Sequence, residues 1–476
     1  MPTASPAGAG VDPAAVHAFV EKVSAAGLEL HGFALARHGH LVARGWWQPY
    51  SPDQPHLLYS LSKTFTATAY ALAEAEGLIG RDDPLIALWP EFAEVAGPRA
   101  RTWTPRMLLR MASGHTSDAF DLGPGAPSPL GSDVDPVAWC FAQEPSAEPG
   151  SVFCYNQLCT YLVGAAVQKV TGGTLVGWLR PRLFDPLGID RAHWLTDARG
   201  RDLGFSGLHT RLDAVLRLGL LYLGEGVWEG HRLLPQSWVA EARRPLSDTD
   251  VRGADGLMPN PDWACGYGYQ LWRSRHGYRG DGAFGQFMLV LPEADAVVAI
   301  HSGEADMQAI LDAVWAHLLP GLSGSASAAP SGDPLELTGL RLAPAGGAGP
   351  AASFVAPAPR YRDPAWSVPI SAPVRALGVR ADAGGWLLDL DLPGGTVTVP
   401  AGDRSWRPGG FAGSTGPVAT RASAGWRDGI FHARIVLVTS PHTVLLRGDH
   451  ATGHLDARWS VPPLHGDAPG DVGLPD

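Results

Sequence analysis

The first apolar period of the chain falls at residues 12–26, where Val16, Phe19, Val20 and Val23 recur at helical spacing and form one face. Alternation follows at 32–37 and 41–46, interrupted by His38-Gly39, and predicts two strands joined by a turn. From Tyr59 to Gly77 the polar face disappears. Small and apolar residues on most sides predict a helix inside the domain rather than on its surface, with Gly77 as its stop. Thr104-Pro105 opens another helix, threonine as cap and proline in the first turn, ending at Ser113-Gly114. Residues 159–171 and 174–184 read as helical. Thr210-Arg211-Leu212-Asp213 has the capping-box form ahead of an apolar helix to Leu223, which makes Asp213 and the neighbouring His209 structural. Strands are predicted at 267–273, 284–291 and 296–302, and a closing helix at 307–319.

This order of helix, two strands, long helical insert, three strands and helix fits one antiparallel sheet, with the terminal helices on one face and a helical lobe on the other. A Gly/Ser/Ala-rich stretch then reads as a flexible linker, 321–335. Beyond it, residues 374–380, 386–391, 396–400, 431–439 and 443–447 alternate apolar and polar positions, with glycine and aspartate at the joints. That texture predicts a C-terminal all-β domain, a small barrel or sandwich. The expected division is a first domain at 1–320, the linker, and the β domain at 336–476.

Charge and composition narrow the function. A formal net charge of −11 argues against a nucleic-acid groove, and no apolar run approaches the ~18 residues of a membrane span. The first ten residues lack the basic and apolar regions of a secretory signal. Cys140, Cys154, Cys159 and Cys265 are too few and too irregularly spaced for a disulfide framework or zinc site. The expectation is a cytoplasmic protein without metal or cofactor.

Lysine is nearly absent: Lys22, Lys63 and Lys169 are the only three. One of them closes Ser60-Leu61-Ser62-Lys63, at the mouth of the buried helix. Residues three apart share a helix face, so Lys63 can reach the Ser60 hydroxyl. A serine nucleophile needs an adjacent base, and a buried lysine becomes one when desolvation lowers its pKa. Arginine cannot do this. On the tetrad alone a second reading stands beside this one, Ser60 as the cap of the helix that follows. Two further groupings carry chemistry. Tyr155 and Gln157 place a phenol and an amide two residues apart in a turn before a helix. Gly280-Asp281-Gly282-Ala283-Phe284-Gly285-Gln286 has three glycines, as where something approaches a strand backbone closely, or where a hairpin turns tightly.

Taken in this order, the three groupings resemble the serine β-lactamase and penicillin-recognising superfamily, whose signature is Ser-x-x-Lys, Tyr-x-Asn and Lys-Thr-Gly. The likeness points to its class C-like branch of β-lactamases, D-aminopeptidases, family VIII esterases and 6-aminohexanoate-oligomer hydrolases, over about residues 12–319. Residues 108–115 resemble that branch's LLxxxSGH segment, 149–155 its PGTxFxY run and 207–213 its GLxSTxxD turn. The resemblance implies an α/β (α+β) fold, an α/β/α sandwich whose nucleophile sits on a buried helix beside an antiparallel sheet. It implies Ser60 as acyl-accepting nucleophile, Lys63 as its base and Tyr155 as the phenol that shuttles the proton. The backbone N–H groups of Ser60 and Ala283 would form the oxyanion hole, with Gln157, Gly282 and Asp281 lining the substrate.

Two departures matter. Gln157 stands where the branch has asparagine, and Gly280 where it has lysine or histidine; His276 or Arg279 could supply that cation from nearby. Loss of a cation that grips a carboxylate argues against penicillin-like substrates. The implied activity is hydrolysis of a small ester, amide or peptide without cofactor. D-aminopeptidase, DD-peptidase or β-lactamase-type amidase activity is the alternative, and a binding module that keeps only the fold is another. Loops at 120–135 and 248–262 are expected to shape the pocket.

Overall fold

The computed structural model describes residues 1–121, 128–249, 260–345, 354–357, 372–464, 466 and 468–475. Of the loop segments 120–135 and 248–262 expected to shape the pocket, residues 122–127 and 250–259 lie outside the described residues. Among those described, seven strands form one sheet in the order Leu335–Leu337, His40–Trp46, Leu30–Arg37, Ala296–Ser302, Gln286–Leu291, Tyr278–Gly282 and Trp272–Arg273. Neighbours are antiparallel except the first pair, in which Leu335 lies beside Ala43 in a parallel arrangement. The alternation of side chains across a strand then builds two cores. Phe33, Leu35, Leu289, Val298 and Ile300 face the Pro13–Ala25 and Met307–Ala313 helices. Ala34, Ala36, Met288, Val297 and Ala299 face the helical lobe. The Leu212–Leu223 helix lies directly on that second face, and Gly219 permits its approach: a Cβ there would come 2.5 Å from the Val297 side chain. The three layers are the expected α/β/α sandwich.

The Ser62–Ala75 helix runs through the middle of the lobe, with every residue from Ser62 to Ala73 buried. Its small residues let neighbours pack close. Its hydroxyls satisfy buried polar groups that would otherwise cost stability: Thr66 Oγ1 donates to Gly204 O (2.8 Å) and Ser62 Oγ accepts from Leu208 N (3.1 Å). None of the described helices is long and apolar enough to cross a membrane. All four cysteines are free thiols.

Several local expectations shift. The strand expected at 267–273 is reduced to Trp272–Arg273, and a strand absent from the sequence reading, Tyr278–Gly282, pairs between it and Gln286–Leu291. Thr210 caps nothing. It ends a short strand, Leu208–Thr210, held between His56–Leu57 and Ala192–Trp194, and its hydroxyl donates to Arg191 O at 2.6 Å. Arg211 is the helix cap, without a side-chain bond, and Asp213 pairs instead with Arg211 and Arg217. The helix expected at 174–184 widens after Leu175–Leu179 into a π-turn over Arg180–Phe184. Stretch 321–335, expected as a linker, is bonded to the N-terminus: Asp12 N to Gly321 O (2.9 Å), Ser5 N to Ser331 O (3.1 Å). Its last residue begins the edge strand, and Leu337 and Leu342 are buried in the first domain's core.

The C-terminal part is a curled sheet of nine strands from Phe354–Pro357 to His454–Trp459. Eight follow in sequence along the sheet; Arg407–Ala412 pairs only with Pro417–Arg427. The alternation expected at 386–391 is the clearest, since Gly385–Leu392 buries every second residue. Trp386, Trp426, Phe431 and Trp459 fill the inside of the curl. Its loop at 438–442 reaches back onto the first domain: Leu57 N donates to Thr439 O (2.8 Å) and Tyr50 Oη to Ser440 O (3.1 Å). Beside this seam lie buried His31, His56 and His301, with His31 Nδ1 3.0 Å from His56 Nε2, and an ion pair between Glu29 and Arg434.

Candidate active site

Ser60 is not a helix cap. It occupies a 3-10 turn, Tyr59–Leu61, ahead of the Ser62–Ala75 helix, and Leu61 is the residue at the cap position. The side chain of Lys63 folds back one turn, so that Nζ lies 2.9 Å from Ser60 Oγ. Two other acceptors hold the amine, Gln157 Oε1 at 2.6 Å and Phe205 O at 2.8 Å. Lys63 is only 1% exposed. Burial strips water from the ammonium and lowers its pKa to about 7, against the opposing pull of Asp118 and Asp281. A neutral amine has two N–H donors and one lone pair. Gln157 and Phe205 can take the donors, which leaves the lone pair for the Ser60 hydroxyl.

Tyr155 comes from the turn before the Gln157–Thr171 helix, where Asn156 is the cap and accepts from Leu158 N. Burial, reinforced by Asp281, raises the pKa of the Tyr155 hydroxyl well above the usual 10, against the opposing influence of Ser60. It is therefore a neutral phenol. Its ring stacks on Trp272 (5.4 Å between centroids, 18°), and Lys63 Nζ lies 4.9 Å from its centre. Gln157, one methylene longer than the expected asparagine, reaches the lysine directly.

The third grouping begins on Tyr278–Gly282, and its first two glycines are set by the turn that carries Ser60 and the helix that follows it. A Cβ on Gly282 would stand 2.0 Å from Leu58 O and 3.0 Å from Leu61 N. One on Gly280 would meet Thr64 Oγ1 at 2.5 Å and Leu61 Cδ1 at 2.6 Å. The strand thus runs against the turn that carries Ser60, and Ala283 follows directly. Neither suggested cation is free to replace a lysine at Gly280. His276 packs on the Trp315 ring (5.1 Å). Arg279 is buried, bonded through Nε to Asp281 Oδ2 (2.9 Å) and through Nη1 to Asp262 O, Arg273 O and Ser274 Oγ. Asp281, expected to line the substrate, is nearly enclosed and is the counter-charge of that arginine; burial raises its pKa despite the pair.

His209, read as structural, is fully buried with Nδ1 3.2 Å from Gly207 O. Sequence reasoning missed Asp118, whose Oδ1 accepts from Gln157 N (3.0 Å) and Phe120 N (3.1 Å), and so fixes the start of the helix that presents the amide. It missed Trp272 and the Phe205 carbonyl as well. A lone aspartate after a turn and a backbone oxygen carry no sequence signature; the contacts exist only after folding. Among the described residues no group of three or more His, Cys, Asp or Glu is arranged to hold a metal ion.

Comparison with known proteins gives a family match and several relatives. The Beta-lactamase family matches residues 15–313. A lovastatin esterase of Penicillium rubens is 30% identical over 214 residues, 39% of this chain and 53% of that protein, so the chain spans about half the length of that relative. A 6-aminohexanoate-dimer hydrolase of Paenarthrobacter ureafaciens is 25% identical over 285 residues, 56% of this chain and 70% of the other. The structure of an octameric penicillin-binding protein homologue from Pyrococcus abyssi superposes with a TM-score of 0.50 at 16% identity, over 90% of this chain and 97% of that one; the likeness is one of fold.

Proposed function

The chain belongs to the Beta-lactamase family, and from that premise we propose that it is a serine hydrolase cleaving an ester or amide through an acyl-enzyme on Ser60. One observation carries the reading: a buried amine, lowered to about 7, with its nitrogen 2.9 Å from the serine oxygen. In the proposed first step the Ser60 proton passes to Lys63 Nζ while Oγ attacks the carbonyl carbon. The negative charge that develops on the carbonyl oxygen is taken by the N–H groups of Ser60 and Ala283. Tyr155 hands its proton to the departing oxygen or nitrogen and recovers one from the Lys63 ammonium. Its raised pKa suits the donor role and opposes a phenolate base. Water then attacks the acyl carbon and repeats the relay in reverse, releasing Ser60.

The favoured substrates are neutral acyl groups rather than those with a free carboxylate near the scissile bond. Gly280 has no room for the side chain that would carry a cation, and Arg279 is already paired with Asp281. A fluorophosphonate probe tests the nucleophile, and a matched pair of esters with and without a carboxylate tests the substrate class. Labelling that maps to Ser60, disappears in Ser60→Ala, and accompanies faster turnover of the neutral ester is expected. Hydrolysis that persists in Ser60→Ala would overturn the mechanism, and preference for the carboxylate ester would overturn the substrate class.

A further inference from the structure

The two residues that flank the proposed oxyanion N–H groups are in unusual backbone states. Tyr59, just before Ser60, has φ 48°, and Phe284, just after Ala283, has φ 64°. Left-handed conformations in bulky residues cost about 1–3 kcal/mol each and persist only when the surroundings enforce them. At Phe284 the first domain holds the backbone, the carbonyl accepting from Gln286 Nε2 (3.3 Å), Glu304 N (3.1 Å) and Ser302 Oγ, while the other domain holds the two side chains. The His442 ring packs edge-on against both side chains, 5.8 Å from Tyr59 and 5.6 Å from Phe284, and those two rings meet each other at 5.6 Å. His442 Nε2 lies 2.6 Å from Tyr59 Oη. The other ring nitrogen, Nδ1, is 2.8 Å from Val461 O, which can only accept, so Nδ1 bears the proton and Nε2 offers its lone pair to the Tyr59 hydroxyl. Leu464 N donates to the same hydroxyl at 3.3 Å. Burial keeps His442 neutral by lowering its pKa to about 3, so the arrangement holds throughout the neutral range. The loop bearing it is itself anchored, through Leu57 N to Thr439 O and Ser440 Oγ to Leu437 O.

We infer that His442 is a positioning residue: by clamping Tyr59 and Phe284, the C-terminal domain sets the spacing of the Ser60 and Ala283 N–H groups. The inference rests on the proposed hydrolase reading. It makes the second domain part of the catalytic apparatus, although none of its described residues touches Ser60 Oγ or Lys63 Nζ.

The test uses the full chain and p-nitrophenyl butyrate, with kcat, KM and melting temperature measured for wild type, Ser60→Ala, Tyr59→Phe, His442→Ala, His442→Gln and the Tyr59→Phe/His442→Ala double variant. Misplaced transition-state donors cost roughly ten- to a hundredfold. Loss of that size is therefore expected in kcat for His442→Ala, with KM within about threefold. Tyr59→Phe should fall in the same direction, and the losses in the double variant should be clearly less than additive, because both changes remove the Tyr59–His442 bond and only the Leu464 N contact to the hydroxyl is lost separately. Glutamine, whose side-chain oxygen can accept from Tyr59, should restore part of the rate. A lowered melting temperature with unchanged kcat, or strictly additive losses, would overturn the inference. Should His442→Ala fail to fold, Tyr59→Phe decides alone, since it removes a single oxygen. A wild type without Ser60-dependent turnover would instead overturn the hydrolase reading, a separate result.

Discussion

The protonation of Lys63 can be read directly from a rate profile. At pH 7 an ordinary lysine holds the free amine in roughly one molecule in 2,500. Lys63, lowered to about 7 by desolvation, holds it in about half. Burial therefore raises the population of the neutral amine by about a thousandfold. If only the neutral amine accepts the Ser60 proton, kcat/KM for an activated ester should rise tenfold per pH unit below about 7 and level off above it. At pH 5 it should stand near one hundredth of the plateau. Replacing the amine separates charge from basicity. Lys63→Arg keeps a cation but cannot deprotonate, and its planar fork does not fit acceptors spread over Ser60 Oγ, Gln157 Oε1 and Phe205 O. It should be as inactive as Lys63→Ala. The assay is p-nitrophenyl ester hydrolysis from pH 5 to 9, with the spontaneous rate subtracted. A flat profile down to pH 5, or an arginine variant within tenfold of wild type, would refute the base assignment.

Three other changes have defined outcomes. Asp118→Asn keeps the acceptor for Gln157 N but removes a charge that raises the Lys63 pKa, so the rising limb should move to lower pH; a move upward would contradict the electrostatics. Gly282→Ala drives a methyl against the Leu58 carbonyl and should cost at least about 1–3 kcal/mol in denaturant unfolding, and an unchanged midpoint would mean that the strand and turn can separate freely. Arg279→Met strands the buried Asp281 carboxylate and should cost about 3–5 kcal/mol, whereas the double change to Arg279→Met/Asp281→Leu should recover part of it; equal instability of both would show that the pair is not the source.

How far the sequence could be read depended on whether its signals were local. The buried helix after Ser60 was legible because small and apolar residues covered most of its sides, and the Ser60/Lys63 pairing because lysine is so scarce here. The Pro13–Ala25 face was legible from periodicity alone. Tyr278–Gly282 was not. Two of its five residues are glycine for the sake of the helix packed against it, and that dilutes any strand propensity. Thr210 carried a capping pattern, but pairing with His56 and Ala192 took the residue into a strand first. The composition of 321–335 suggested freedom, yet bonds to residues 5–12 tie it down. Tyr59 and His442 are 383 residues apart, and nothing in either neighbourhood announces their contact.

The seam between the domains carries a cost in acid. His31, His56, His301 and His442 are all buried near it, and burial lowers the pKa of each, to about 3 for His301 and His442. In the unfolded chain the same imidazoles take up protons near pH 6.5. Between those values the unfolded chain binds more protons than the folded one, so stability falls as pH falls. Each histidine that stays neutral in the fold contributes about 1.4 kcal/mol of lost stability per pH unit below 6.5. Glu29, paired with Arg434 across the same junction, raises the His31 pKa but does not outweigh its burial, which the Arg434 charge reinforces. The place where the second domain grips the first is thus a proton sink in waiting, and acidification should pull the two apart with a steep, multi-proton dependence.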